Sequence, residues 1–176
     1  MCFFKDKWPK KAITEEEQKQ EQEYIKATAG IKNIGNLIEF IKPFKYVSDI
    51  KDNWQPPYKT YHLKTYDCED MAIMIQEILH RCLGIENPWF VIYSGYYIKE
   101  GKRTYGCHAV CIFENSMQMS YYEFTNKTYR EAYNPMENNI MLYGYRHYPE
   151  GLKSYERRNT QGKIVDEKRA WIGYIK

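Results

Sequence analysis

Thr65-Tyr66-Asp67-Cys68-Glu69-Asp70-Met71-Ala72 places one cysteine among three carboxylates, at the point where a helical pattern begins. Downstream, Met71, Ala72, Ile75, Ile78, Leu79 and Cys82 recur at helical spacing, and Gly84 supplies a stop. A helix is expected over 68–83, with Cys68 in its first turn. Free N–H groups and the positive end of the helix dipole favour a thiolate there, and the thiolate is the reactive form of cysteine. Asp67, Glu69 and Asp70 act the other way, because nearby negative charge raises a thiol pKa. Helix N–H groups, a histidine or a bound cation must offset them. On this stretch alone a plainer reading prevails. Cys68 is then a small buried apolar residue, and Asp67 caps the helix with Asp70 in the capping-box position. Chemistry requires a base from elsewhere in the chain.

The chain has 176 residues, enough for one domain with a real core. Its net charge of +3, with lysines scattered rather than striped, gives no argument for a nucleic-acid partner. No apolar run reaches membrane-spanning length. Met1-Cys2-Phe3-Phe4-Lys5 turns charged too early for a secretory signal. The five cysteines are therefore expected to be mostly reduced, in a cytoplasmic setting. The 18 tyrosines suit a sheet with half-wet faces or a binding cleft.

Around the central stretch, Thr14 and Glu17 form a capping box for a Glu/Gln/Lys-rich helix over 14–29, read as a solvated helix or an arm that meets a partner. Ile31, Ile34, Leu37, Ile38 and Ile41 make an apolar stripe that ends at Pro43. Residues 43–66 look irregular, with Pro56-Pro57 opposing a helix. Strands are expected at Trp89–Tyr93, Tyr96–Ile98, Thr104–Phe113 and Met119–Thr125, then at 140–148, 163–166 and 170–175. Helices first and an antiparallel sheet second make an α+β domain.

The base comes from Gly106-Cys107-His108-Ala109-Val110-Cys111-Ile112-Phe113. In a strand, His108, Val110 and Ile112 share one face. Their apolar company places His108 on the buried side, towards the central helix, where an imidazole could meet Cys68. Glu123 and Asn126 on the following strand are candidates to hold that imidazole; they fall on opposite faces, so at most one serves. Thiolate, imidazole and a carboxylate or amide are the parts of a nucleophilic cysteine enzyme. A zinc site at Cys107, His108 and Cys111 is disfavoured, because Cys107 and His108 face opposite ways and no Cys-x-x-Cys pair exists.

Asp67-Cys68-Glu69-Asp70-Met71-Ala72, preceded by Asp52-Asn53-Trp54-Gln55-Pro56 and followed by Gly106-Cys107-His108-Ala109-Val110, resembles the transglutaminase-like cysteine proteinases, in particular their bacterial and phage-encoded branch. The resemblance spans about residues 30 to 130. It implies a papain-like core with N-terminal helices packed on an antiparallel β-sheet, an arm over 1–30 and a peptidase domain over 31–176. It implies Cys68 as nucleophile and His108 as base. Glu123 stands in the family's Asp position, in an Asp-x-Thr-like Glu123-Phe124-Thr125, and Asn126 is the fallback. The oxyanion hole would combine the Cys68 N–H with Gln55 or Trp54. Asp67, Glu69 and Asp70 match the calcium-holding carboxylates of some bacterial members, although no cofactor is required.

The expected activity is cysteine-dependent amide hydrolysis or acyl transfer on a peptide or protein, through a thioester on Cys68. The alternative is a catalytically silent module for binding or assembly, for example in a phage particle, which would make the protein virion-associated. No membrane partner is expected, and His62, His80 and His147 are read as surface or packing residues.

Overall fold

The computed structural model describes residue 9 and residues 14–48, 53–115, 120–133 and 140–169. Helices α1 (Glu15–Thr28), α2 (Ile34–Ile41), α3 (Pro57–Leu63) and α4 (Cys68–Leu83) precede the main sheet. Short strands β1 (Lys45–Tyr46) and β2 (Thr65–Tyr66) pair in parallel and fix the chain just before Cys68. Strands β3 (Trp89–Lys99), β4 (Lys102–Asn115), β5 (Ser120–Thr125) and β6 (Thr128–Tyr133) follow. Helix α5 (Ile140–His147) and strands β7 (Leu152–Arg158) and β8 (Ile164–Arg169) complete the described chain. The six long strands form one antiparallel sheet in the order β6-β5-β4-β3-β7-β8. The protein is thus α+β, as the sequence pattern predicts.

Helix α4 is the centre of the fold. Asp67 and Asp70 form its capping box, and Gly84 ends it at φ +66°. That left-handed conformation is one glycine adopts without a Cβ clash. Met71, Met74, Ile75, Ile78 and Leu79 are fully buried, each contributing roughly 1.5–3 kcal/mol by leaving water. They pack in one cluster with Phe90 and Ile92 of β3, Ala109 and Cys111 of β4, and Phe124 of β5. Small Ala109 and Cys111 let the helix lie close to the sheet. The opposite sheet face carries Val91, Tyr93, Val110, Ile112 and Leu152 of β7, and Tyr148 packs on it.

Several expectations are corrected. Residues 140–147 form helix α5 rather than a strand. Pro57 opens a short helix inside the stretch read as irregular, because proline suits a helix's first turn, where its missing N–H is not needed. Strands β6 and β7 carried no expectation, and β8 runs beyond the predicted 163–166. The strand expected at 170–175 lies outside the described residues, as do Met119 and Asp52. Helix α1 is mostly exposed, as a solvated helix would be, and its buried Tyr24 donates its hydroxyl to Glu77 of α4 at 2.5 Å. Cys107 is disulfide-bonded, whereas Cys68, Cys82 and Cys111 are free thiols. Among the described residues, no helix is long and apolar enough to cross a membrane.

Candidate functional site around Cys68 and His108

Cys68 is the first residue of α4, so its backbone N–H has no acceptor within the helix. The helix start abuts β4 where β5 no longer covers it, because β4–β5 pairing begins at Cys111↔Phe124. There the Ala109 backbone N–H is hydrogen-bonded to the Cys68 sulfur and favours a thiolate. Burial dominates, however, and pushes the thiol pKa far up; the charge and hydrogen bond of Glu69 push it further. The thiol donates to Glu69 Oε2 at 2.9 Å, with both residues buried. Cys68 is therefore a neutral thiol in this arrangement.

The three acidic residues have separate tasks. Asp67 Oδ1 accepts from the Asp70 N–H at 3.1 Å, as a helix cap does. Asp70 accepts from the Gln55 N–H at 2.7 Å and from Gln55 Nε2 at 3.0 Å. Its pKa lies well above the usual carboxylate range, first through burial and then through the nearby Asp67 charge, while the Gln55 N–H opposes the rise. Both Asp70 oxygens thus accept N–H donors, while Glu69 Oε2 accepts from the thiol. No group of three or more metal-ligating side chains is assembled among the described residues.

His108 projects to the other face of β4 from the one expected. Ala109 and Cys111 face α4, so the alternating His108, Val110 and Ile112 lie on the opposite face, where His108 meets His147 of α5. The sequence pattern placed the apolar face of β4 correctly as buried, but both faces are buried, and the helix took the face with the smaller side chains. The His108 Nε2 lies 2.7 Å from Thr125 Oγ1. If the ring donates there, Nδ1 keeps its lone pair, and among the described residues Nδ1 has no hydrogen-bond partner. Burial, then the neighbouring His147, lowers the His108 pKa to about 4; Glu123 opposes this and Arg130 adds to it. No hydrogen bond joins His108 to Cys68 among the described residues, although the sulfur meets the amide of the very next residue.

Glu123 does not hold His108. Its carboxylate, 1% exposed, accepts from Arg130 Nη2 at 2.7 Å and from Arg130 Nε at 3.0 Å. His147 Nε2 lies 3.3 Å from its Oε1. Burial alone would raise the Glu123 pKa, but His147 and Arg130 together hold it below its ordinary value. Asn126 sits in the β5–β6 turn at φ +53°, with its buried Oδ1 unbonded. Gln55 also leaves Oε1 buried and unbonded, while its amide nitrogen braces the start of α4. Trp54 packs edge-on against Phe90 at 5.1 Å, with the Arg158 guanidinium 5.2 Å from its ring centre.

Sequence reasoning missed Thr125, Arg130 and His147. Thr125 was legible, because it lies two residues from Glu123 and shares its strand face. Arg130 lies directly across from Glu123 in the β5–β6 pairing, on a strand that was not expected. His147 sits on α5, the segment misread as a strand, and had no signal in its local pattern. His62 and His80 bond backbone carbonyls, of Gln20 at 3.1 Å and Ile85 at 3.1 Å, in keeping with packing roles. No protein-family model matches the chain, and no curated protein matches it.

Proposed function

We propose that this protein is a cysteine-dependent amide hydrolase or acyltransferase with a transglutaminase-like, papain-like core. Cys68 is the nucleophile and His108 the base. The supporting observation is the docking of the Cys68 sulfur, at the open N-terminus of α4, on the amide beside His108. In the described arrangement the thiol rests on Glu69 and the imidazole on Thr125. Reaction requires the thiol to leave Glu69 and pass its proton to His108 Nδ1, which the Thr125 hydrogen bond leaves available. The sulfur then attacks the amide carbonyl, and the Cys68 N–H receives the developing oxyanion. His108 returns the proton to the leaving amine, giving a thioester. Water then releases an acid, or a second amine forms a new amide. A peptide or protein is the substrate class.

The second reading is a catalytically silent module of the same fold, used for binding or assembly, for example in a phage particle. It is favoured by the thiol's hydrogen bond to Glu69 in place of His108. The two separate in one experiment. A peptidyl chloromethyl ketone library is offered to the wild type, Cys68→Ala and His108→Ala, and adducts are located by peptide mass spectrometry. The enzyme reading expects an adduct at Cys68 that His108→Ala slows at least tenfold. Labelling of Cys68 no faster than of half-buried Cys82, or equal labelling with and without His108, would leave the binding module.

A further inference from the structure

We propose that His147 is a positioning residue for His108: held by Glu123, it fixes the His108 ring and sets the pH at which that ring takes a proton. This deepens the catalytic reading above and rests on it for its consequence. The His108 and His147 ring centres are 4.9 Å apart and the rings are tilted by 51°. On its other side His147 stacks on Tyr93 at 5.8 Å and 21°. Tyr93 is fully buried and is the cross-strand partner of His108. The His147 ring is thus fixed by stacking, and its Nε2 is held beside a buried carboxylate.

Every element around His108 contributes to its setting. Tyr93 faces it from β3, Thr125 and Glu123 from β5, Arg130 from β6 and His147 from α5, while Cys68 of α4 meets the adjacent amide. Arg130 places two nitrogens on Glu123 Oε1 and one of them 3.5 Å from His147 Nε2. The polar groups therefore run Arg130, Glu123, His147, His108. A charge on one ring disfavours a charge on the other at this separation, so His147 bears on proton uptake by His108. The carboxylate holds the His147 ring against His108, whose neutral form is the one a base requires. Glu123 thereby acts on His108 through His147 rather than by direct contact.

The test uses the full chain with isotope-labelled histidine, followed by NMR from pH 4 to 8. In the wild type, the His108 midpoint should lie well below the ordinary imidazole range. In His147→Gln, and in His147→Phe, which keeps a ring on Tyr93, the His108 midpoint should rise by about one unit, a tenfold change in proton affinity. A wild-type His108 midpoint in the ordinary imidazole range would overturn the proposal. So would an unchanged His108 midpoint in either variant with a folded spectrum. The wild-type midpoint keeps the proposal open to refutation even if neither variant folds. Because proton uptake is read rather than turnover, failure of the Cys68 chemistry would defeat the catalytic reading and leave this result standing.

Discussion

Lowering the pH should unfold this protein partly through His108, and the size of that effect follows from its burial. The ring is neutral in the folded protein, with its pKa lowered to about 4, against about 6.5 for an unfolded histidine. Between these values the unfolded chain binds the extra proton and the folded chain does not. Stability from the neutral ring is therefore fully present above pH 6.5 and is lost as the pH falls through the window towards 4. Linkage gives a loss of about 2 kcal/mol by pH 5 and about 3 kcal/mol by pH 4. His108→Gln removes the titration while keeping a polar group near Thr125. Urea denaturation at pH 7.5 and pH 5, on wild type and variant, measures the difference. Asp70, whose raised pKa favours the fold at lower pH, contributes to both proteins and cancels in the comparison. The wild type should lose about 2 kcal/mol more than His108→Gln over this interval. Parallel losses would mean that His108 is not held neutral by burial.

Other outcomes test the surrounding structure. Glu123→Gln leaves Arg130 and His147 without their shared carboxylate, and since Arg130 is partly in water the loss should be about 2 kcal/mol rather than the full cost of breaking a buried pair, read from urea midpoints. Glu69→Gln removes the negative charge beside the sulfur, and iodoacetamide labelling of Cys68 at pH 8 should accelerate roughly tenfold; an unchanged rate would show that Glu69 does not hold the thiol neutral. Gly95→Ala would put a Cβ 2.6 Å from the Gly151 carbonyl oxygen and 2.7 Å from Tyr148 Cβ. It should lower stability by about 2 kcal/mol or more, a loss a thermal melt would detect.

Local signals in the chain were read well. The capping box at Asp67 and Asp70, the apolar period of α4 and the Gly84 stop depend on contacts within a few residues, so they are visible in the sequence. The long β3–β4 hairpin follows for the same reason, with Glu100 and Gly101 turning at positive φ. The capping reading of Asp67 and Asp70 also needed no tertiary information. Short apolar segments were less legible. Residues 140–147 could be strand or helix, because eight residues are too few for the period to decide.

The sequence by itself determined that one cysteine stands at the start of a buried helix and that one histidine lies on an apolar strand. It also placed them in an α+β chain with helices first. Only the tertiary structure decided which face of β4 the helix takes. Both faces are apolar, and alternation distinguishes them without saying which element covers each. The helix settled on Ala109 and Cys111, where small side chains permit close approach, and α5 closed over His108. That choice gave His108 its Thr125 bond and its His147 neighbour, and gave Glu123 to Arg130. These partners are separated from one another by up to 39 positions along the chain and meet only when the sheet pairs, so no local pattern could announce them.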